Sequence, residues 1–304
     1  MICRMSMSPS MRTIAHRIEI ASDSVNELLV KLNALLPVTP AMPDFSAVKA
    51  MRWIRRPTLL GHVSYLEPVM HFAEIRFTDL QHIDRQRRLV EQNTRQFLAK
   101  KPANNVLMTG ARGTGKSSLV RACVSEFHGQ GLRVIEVEKQ DLMDLPRIVE
   151  TVSWLPYRFI IFCDDLSFES GDAGYKALKS VLDGSVAAQS ENLLIYATSN
   201  RRHLMPEQMR ENLETRYEAS GEIHPGETVE EKISLSERFG LWVSFYSFSQ
   251  QDYLDIVVHW LAHFGCGQAL IDQARQPALQ WALERGSRSG RVALHFARDW
   301  AGRH

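Results

Sequence analysis

The sequence predicts an α/β protein, a parallel sheet with helices on both faces, followed by a small C-terminal helical domain. Three observations predict it. Short apolar runs at 105–109, 132–137, 158–163 and 193–197 alternate with segments of helical period. The runs at 158–163 and 193–197 are apolar almost throughout, as strands covered on both faces must be. After Ser249 the strand pattern stops and three helix-period segments follow.

The elements follow in order. Residues 22–36 place Val25, Leu28, Leu29, Leu32, Leu35 and Leu36 at helical spacing, with Ser22 or Ser24 as cap and Pro37 as stop. Pro37, Pro40 and Pro43 mark a linker, and 45–77 carries mixed signals. A helix is expected over 84–99, ending before Pro102, then a strand at 105–109 and a glycine-rich turn. Helices at 116–127, 141–152 and 175–182 alternate with strands at 132–137, 158–163 and 193–197; a last strand is expected at 241–248. Helices at 250–264, 268–284 and 290–300 complete the chain. The expected division is a mixed, mainly helical N-terminal region 1–77, an αβα core 78–248 and a helical lid 249–304.

Composition narrows the class. A hydrophobic share of 44% with 23% charged residues is that of a globular protein with a sizeable core, and 304 residues suffice to build one. The net charge of +1 divides unevenly, +6 over residues 1–101 and −5 over the remainder, which points weakly to an anionic partner at the N-terminal end. No apolar run approaches the length of a membrane span, so no membrane partner is expected. The first 18 residues hold Arg4, Arg12 and Arg17 with no acid, a composition shared with transit peptides. Met5, Met7 and Met11 offer alternative starts, and the expectation is a cytoplasmic protein. Four dispersed cysteines with no CxxC pair indicate reduced thiols, with Cys123 and Cys163 in the core.

The strongest chemical signal is Gly110-Ala111-Arg112-Gly113-Thr114-Gly115-Lys116-Ser117, a full match to G-x-x-x-x-G-K-[ST] between a strand and a helix. Glycines let backbone N–H groups close on phosphate, and the helix start through Ser118 adds the positive end of its dipole. Lys116 then reaches the β- and γ-phosphates, and Ser117 offers a hydroxyl to Mg²⁺. ATP with Mg²⁺ is the implied ligand.

The run Phe159–Cys163 delivers Asp164 and Asp165 at a strand end, Asp164 lying 48 positions after Lys116. Asp164 is the candidate metal residue, and Asp165 the group that orients or deprotonates the attacking water, with Glu169 as its rival. Leu193–Ala197 leads into Thr198-Ser199-Asn200, where Asn200 is the candidate for hydrogen bonding to the γ-phosphate or the water.

With these three motifs in this order, followed by a helical lid, residues 78–304 resemble an AAA+ ATPase. Longer strings resemble a bacterial AAA+ family defined by a domain of unknown function. They are Pro102-Ala-Asn-Asn-Val, Cys163-Asp-Asp-Leu-Ser-Phe-Glu169, Tyr196-Ala-Thr-Ser-Asn-Arg-Arg-His203 and Gly221-Glu-Ile-His-Pro225. The resemblance implies three further roles. Ile83 would pack on adenine, with His82 where related chains often carry glycine, so that a different backbone is expected there. Arg238, in Ser236-Glu-Arg-Phe-Gly240, would be an arginine finger reaching a neighbouring subunit, with Arg201, Arg202, Arg210 and Arg216 as rivals. Arg291 would contact phosphate from the lid. The long segment 201–236 contains Glu222 and His224, too few ligands for a metal site.

The expected function is an AAA+ ATPase that binds and hydrolyses Mg-ATP and couples it to conformational change in a homo-oligomer, exchanging ATP for ADP. One alternative is an ATP-switched binding module for a nucleic acid or protein client through residues 1–101, where Arg52, Trp53, Arg55 and Arg56 cluster. The other is a P-loop phosphotransferase, which needs neither the Asn200 nor the Arg238 segment.

Overall fold

A computed structural model describes residues 21–30, 40–58, 61–168, 172–183, 191–200, 216–217, 223–224 and 235–304. The expectations placed on residues 1–18, Glu169, Arg201, Arg202, Arg210 and Glu222 fall outside them, and Arg216 and His224 are described only in backbone. The chain divides into two compact units, one of residues 1–42 and 55–65, the other of 43–54 and 66–304.

In the first unit, residues 21–30 form helix α1, exposed at every position. The Arg56 guanidinium lies over the Tyr65 ring at 5.6 Å.

The main sheet has seven strands. Its strands are β1 (Ala50–Thr58), β2 (Gly61–Pro68), β3 (Val106–Gly110), β4 (Leu132–Glu136), β5 (Arg158–Cys163), β6 (Leu193–Ser199) and, after the short pair β7 (Arg216–Tyr217) and β8 (Ile223–His224), β9 (Leu241–Phe245). The order across the sheet is β2-β1-β4-β5-β6-β3-β9, and the pairs β1–β4, β4–β5, β5–β6, β6–β3 and β3–β9 are parallel. The mixed signals of 45–77 resolve into β1 and β2. Residues 50–52 pair with β4, so this part of the N-terminal region extends the sheet. Within that stretch Trp53 is 2% exposed and donates Nε1–H to Asp144, while Arg52 pairs with Glu136 at 2.9 Å.

Strand alternation divides the core. Phe159, Ile161 and Cys163 of β5 face one cluster, with α4 (Leu145–Val152) and α5 (Ala173–Asp183); Ile160 and Phe162 face the other, with α2 (Asp84–Leu98) and α3 (Lys116–Phe127). The helix expected over 141–152 begins as a 3₁₀ turn, Lys139–Asp144, because Pro146 is best placed in the first turn of an α-helix, where its missing N–H costs no bond.

The C-terminal helices are α6 (Gln250–His263), α7 (Gln268–Glu284) and α8 (Gly290–Arg303). Ala274, Ala278, Ala282, Ala293 and Ala297 are buried between them, so the helices approach closely. Trp281, Phe296 and Trp300 form a run of ring contacts at 5.8 and 5.6 Å. Ser249 caps α6 with a reciprocal box, accepting from the Asp252 N–H while Asp252 accepts from its own. Among the described residues no helix is long and apolar enough to cross a membrane.

Candidate functional site

The parallel order sets β3 beside β6 and β6 beside β5, so three strand ends reach one edge of the sheet. Register fixes what meets there. Thr109 pairs with Ser199, and Cys163 with Ala197, so the residues just beyond, Asp164 and Asn200, emerge next to the loop after β3.

That loop runs from Gly110 to the start of α3. Gly110 (φ 133°) and Gly115 (φ 99°) take backbone conformations that favour glycine, and Gly115 caps α3. A Cβ on Gly110 would fall 1.9 Å from the Phe245 carbonyl oxygen, so β9 backs the loop directly. The Thr114 hydroxyl closes the turn on the Ala111 carbonyl at 2.8 Å.

Lys116 is 6% exposed. Its ammonium donates to the carbonyls of Gly110 (2.7 Å) and Ala111 (2.8 Å) and to Asn200 Oδ1 (3.1 Å). Burial pulls its pKa below the ordinary lysine value, and the charges of Asp164 and Asp165 oppose that shift. The guanidinium charges of Arg112 and Arg291 act on Lys116 in the same direction as burial, so both lie within its field.

The carboxylates separate by partner. Asp164 Oδ1 accepts from Ser117 Oγ at 2.7 Å and from Thr198 Oγ1 at 2.5 Å. Asp165 accepts from the Asn200 amide and has Arg112 at 3.8 Å. Its φ of 53° places it in the left-handed region. Asn200 therefore links the lysine to the second carboxylate, and Ser117 touches the first.

Of the remaining predicted residues Ile83 and Arg291 come to this edge, whereas Arg238 precedes β9, whose first residue pairs with the first of β3, and so lies toward the opposite edge of the sheet. Ile83 is 4% exposed and its Cδ1 lies against Gly115. Gly290 donates its N–H to the Gly113 carbonyl at 2.9 Å, which brings the start of α8, and Arg291 with it, onto the loop. Arg238 pairs with Asp183 at the end of α5. The side chains of Ala111, Arg112 and Thr114 also border a cleft of about 650 Å³ shared with Phe248, Leu283 and Arg288.

His82 departs from expectation. It keeps a glycine-like φ of 61° instead of taking a different backbone. Its two ring nitrogens explain how: Nδ1 reaches Asp252 at 3.1 Å and Nε2 reaches Asp255 at 3.2 Å, both on α6.

Sequence reasoning gave no role of their own to Thr198, Asn105 or Ser289. Asn105 Oδ1 accepts from the Ile195 N–H while its carbonyl accepts from Leu241, so one asparagine ties β3's entry to both neighbouring strands. Asn104 fills the space where a Cβ on Gly240 would sit. The Pro102-Ala-Asn-Asn string thus carries register. Ser289 caps α8 through the Val292 N–H at 3.3 Å. The signal was present for Ser289, a serine two residues before an arginine at a helix start, but its contact with Gly113 was not readable.

The oxygen donors at this edge fit Mg²⁺. Ser117 and Asp164 supply a hydroxyl and a carboxylate, and among the described residues no cluster of three His, Cys, Asp or Glu could hold an ion unaided. Mg²⁺ is bound in this way, through one or two carboxylates with substrate phosphate and water completing its shell.

A family model described as "Protein of unknown function (DUF815)" matches residues 46–304. No curated protein matches the chain by sequence. Among solved structures, a RuvB mutant from Thermotoga maritima is 12% identical, with a TM-score of 0.47, covering 72% of this chain and 62% of its own. The chain therefore spans less than two thirds of that protein's length. The E. coli MS115-1 HORMA:CdnC:Trip13 complex contributes a chain 11% identical, TM-score 0.47, with 85% and 97% covered. PCH-2 from C. elegans is 10% identical, TM-score 0.43, with 75% and 71% covered. The architecture is a mostly parallel seven-stranded sheet flanked by helices, with a glycine-rich loop after β3 and a helical C-terminal domain.

Proposed function

We propose that this chain, which belongs to the DUF815 family, binds Mg-ATP at Gly110–Ser118 and hydrolyses it, coupling turnover to conformational change in a homo-oligomer. The observation that carries this reading is the linked set of contacts Asp165–Asn200–Lys116, with Ser117–Asp164 beside it. Groups from three separate strand ends meet at one glycine loop, and structural stability alone gives no reason to bury a lysine there.

Each residue has a task in that reading. The N–H groups of Gly113–Ser118 and the start of α3 take the phosphate oxygens. Lys116 leaves the loop carbonyls for the β- and γ-phosphates and spreads the charge that develops on transfer. Ser117 and Asp164 hold Mg²⁺, which neutralises phosphate charge when bound. Asp165 orients the attacking water and accepts its proton, while Asn200 fixes the carboxylate that does so. Ile83 lies against Gly115 where the base is expected. Arg291 approaches the phosphates from the helical domain. Arg238 acts on the neighbouring subunit's nucleotide once freed from Asp183, and this makes the oligomer the active form.

The experiment is ATP turnover of the wild-type chain beside Lys116→Ala, with sizing in ATP and in ADP. Turnover is expected to fall to background in Lys116→Ala, and the ATP-bound wild type is expected to run as the larger assembly. Equal turnover in the two proteins would remove hydrolysis from the site. Tight ATP binding without turnover would leave an ATP-switched binding module.

A further inference from the structure

Thr198 ends a buried strand with one hydroxyl that serves both carboxylate residues. It is 1% exposed. Its Oγ1 donates to Asp164 Oδ1 at 2.5 Å and accepts from the Asp165 backbone N–H at 2.9 Å. A hydroxyl has a single proton, and here that proton is committed to Asp164 while a lone pair is committed to Asp165. The contact continues along the backbone. The Leu166 N–H donates to the Thr198 carbonyl at 2.7 Å, and Ser199 Oγ donates to the Leu166 carbonyl at 2.8 Å.

The two Thr198 bonds to the N–H groups of Asp165 and Leu166 bracket a strained residue. Asp165 holds φ at 53°, a conformation that non-glycine residues rarely adopt and that persists only where its surroundings over-determine it. The N–H of Asp165 is fixed by the Thr198 side chain, and the next N–H by the Thr198 carbonyl. The geometry of Asp165 is therefore set from β6 as well as by its own strand, and its carboxylate is aimed by that backbone. The same hydroxyl shares Asp164 Oδ1 with Ser117, so it also limits how the first carboxylate turns.

We infer that Thr198 is a positioning residue for nucleotide hydrolysis: one buried hydroxyl aims Asp165 through its backbone and holds Asp164 in the rotamer that faces Ser117. The inference rests on the Mg-ATPase reading of this site. The β-branched side chain suits the task, since it restricts χ1 and keeps the hydroxyl on target. Valine preserves that shape and removes the hydroxyl; serine preserves the hydroxyl and loses the restriction.

The test compares Thr198→Val, Thr198→Ser and Ser199→Ala in the full chain. Steady-state ATPase is measured with affinity for a fluorescent ATP analogue, with and without Mg²⁺. Thr198→Val is expected to lower kcat by roughly tenfold to a hundredfold with KM little changed, the range set by removing one buried hydrogen-bonding partner. Its gain in nucleotide affinity on adding Mg²⁺ is expected to shrink. Thr198→Ser is expected to recover most of both. Ser199→Ala removes a hydroxyl from the same strand end that touches neither carboxylate, so it is expected to lower the melting temperature and spare kcat. Wild-type kcat in Thr198→Val, or parallel losses in Thr198→Val and Ser199→Ala, would overturn the inference and leave the ATPase reading standing. If the wild type binds Mg-nucleotide without turnover, the ATPase reading fails, and an undiminished Mg²⁺ effect in Thr198→Val then overturns the positioning of Asp164 as well. Thr198→Ala replaces the valine variant in the same comparison if that protein does not fold.

Discussion

Gly110 and Gly113 lie three positions apart in one loop, and each is pressed from outside, the first by the sheet and the second by the helical domain. At Gly110 the neighbour is backbone: a Cβ would fall 1.9 Å from the Phe245 carbonyl oxygen, in a strand locked to β3 over five residues. At Gly113 the neighbour is a side chain, Ser289, whose Cβ and Oγ would each lie 2.8 Å from a new Cβ. The bonds on the two sides differ in the same sense. Those at the sheet edge involve the buried Lys116 and Thr198, whereas the His82 contacts with Asp252 and Asp255 join side chains roughly a third or more exposed. Exposed ion pairs contribute little to stability and are screened by salt. The sheet side of the loop is thus held by buried bonds, and the side that faces the helical domain by exposed ones.

Three substitutions break or sharpen this comparison, in decreasing order of effect. Gly110→Ala is expected to cost roughly 3 kcal/mol or more, because neither β9 nor the φ of 133° can adapt. Denaturant melts of the whole chain should show it, and a loss below about 1 kcal/mol would mean that β9 yields. Gly113→Ala is expected to cost less, about 1–2 kcal/mol, since the Ser289 side chain can shift and only the φ of 73° remains strained. Adding Ser289→Gly should recover part of that loss; no recovery would show that the lid does not rest on Gly113 through this side chain.

Ser249→Ala is the mildest, about 1 kcal/mol for a lost cap. It also carries a pH signature. Hydrogen bonds from Ser249, first its side chain and then its backbone, hold the Asp252 carboxyl below its ordinary value of 3.8, and His82 assists weakly. A carboxyl lowered by folding stabilises the protein above its unfolded pKa, and that stabilisation is lost as pH falls through the folded value. Below about pH 4 the stability difference between the wild type and Ser249→Ala should therefore narrow. A difference that persists undiminished into strong acid would detach Asp252 from the cap.

The two buried thiols, Cys123 in α3 and Cys163 in β5, behave as core residues. Burial pushes Cys123 and Cys163 up to about 12, so neither is a nucleophile at neutral pH. This agrees with their reading as core residues.

Much of the molecule was legible because its signals are local. The loop Gly110–Ser117 is a contiguous string whose residue types follow from phosphate chemistry. The strands at 158–163 and 193–197 are apolar runs with polar residues after them, and the three C-terminal helices follow where the strand pattern stops at Ser249. Pro277 did not stop α7, since a continuous helical pattern on both sides outweighed one missing bond. By contrast β1 and β2 gave mixed signals. β1 turns Met51 and Trp53 into the core with Arg52 exposed between them, but the alternation is lost toward its polar tip.

What the sequence determined by itself is the class of fold, the phosphate loop, and the identity of the acids and the amide that follow two buried strands. These depend on neighbours in the chain. What only the tertiary structure decided is who touches whom across strands. Asn200 meets Lys116 and Asp165, Thr198 meets both aspartates, and His82 keeps a glycine's backbone, because the order β5-β6-β3 and the docking of α6 bring distant segments together. The physical reason is the range of the interactions. Hydrophobic period and turn chemistry act over a few residues and are written in order, whereas hydrogen bonds across a parallel sheet join positions separated by whole crossovers, and register is set only when the sheet forms.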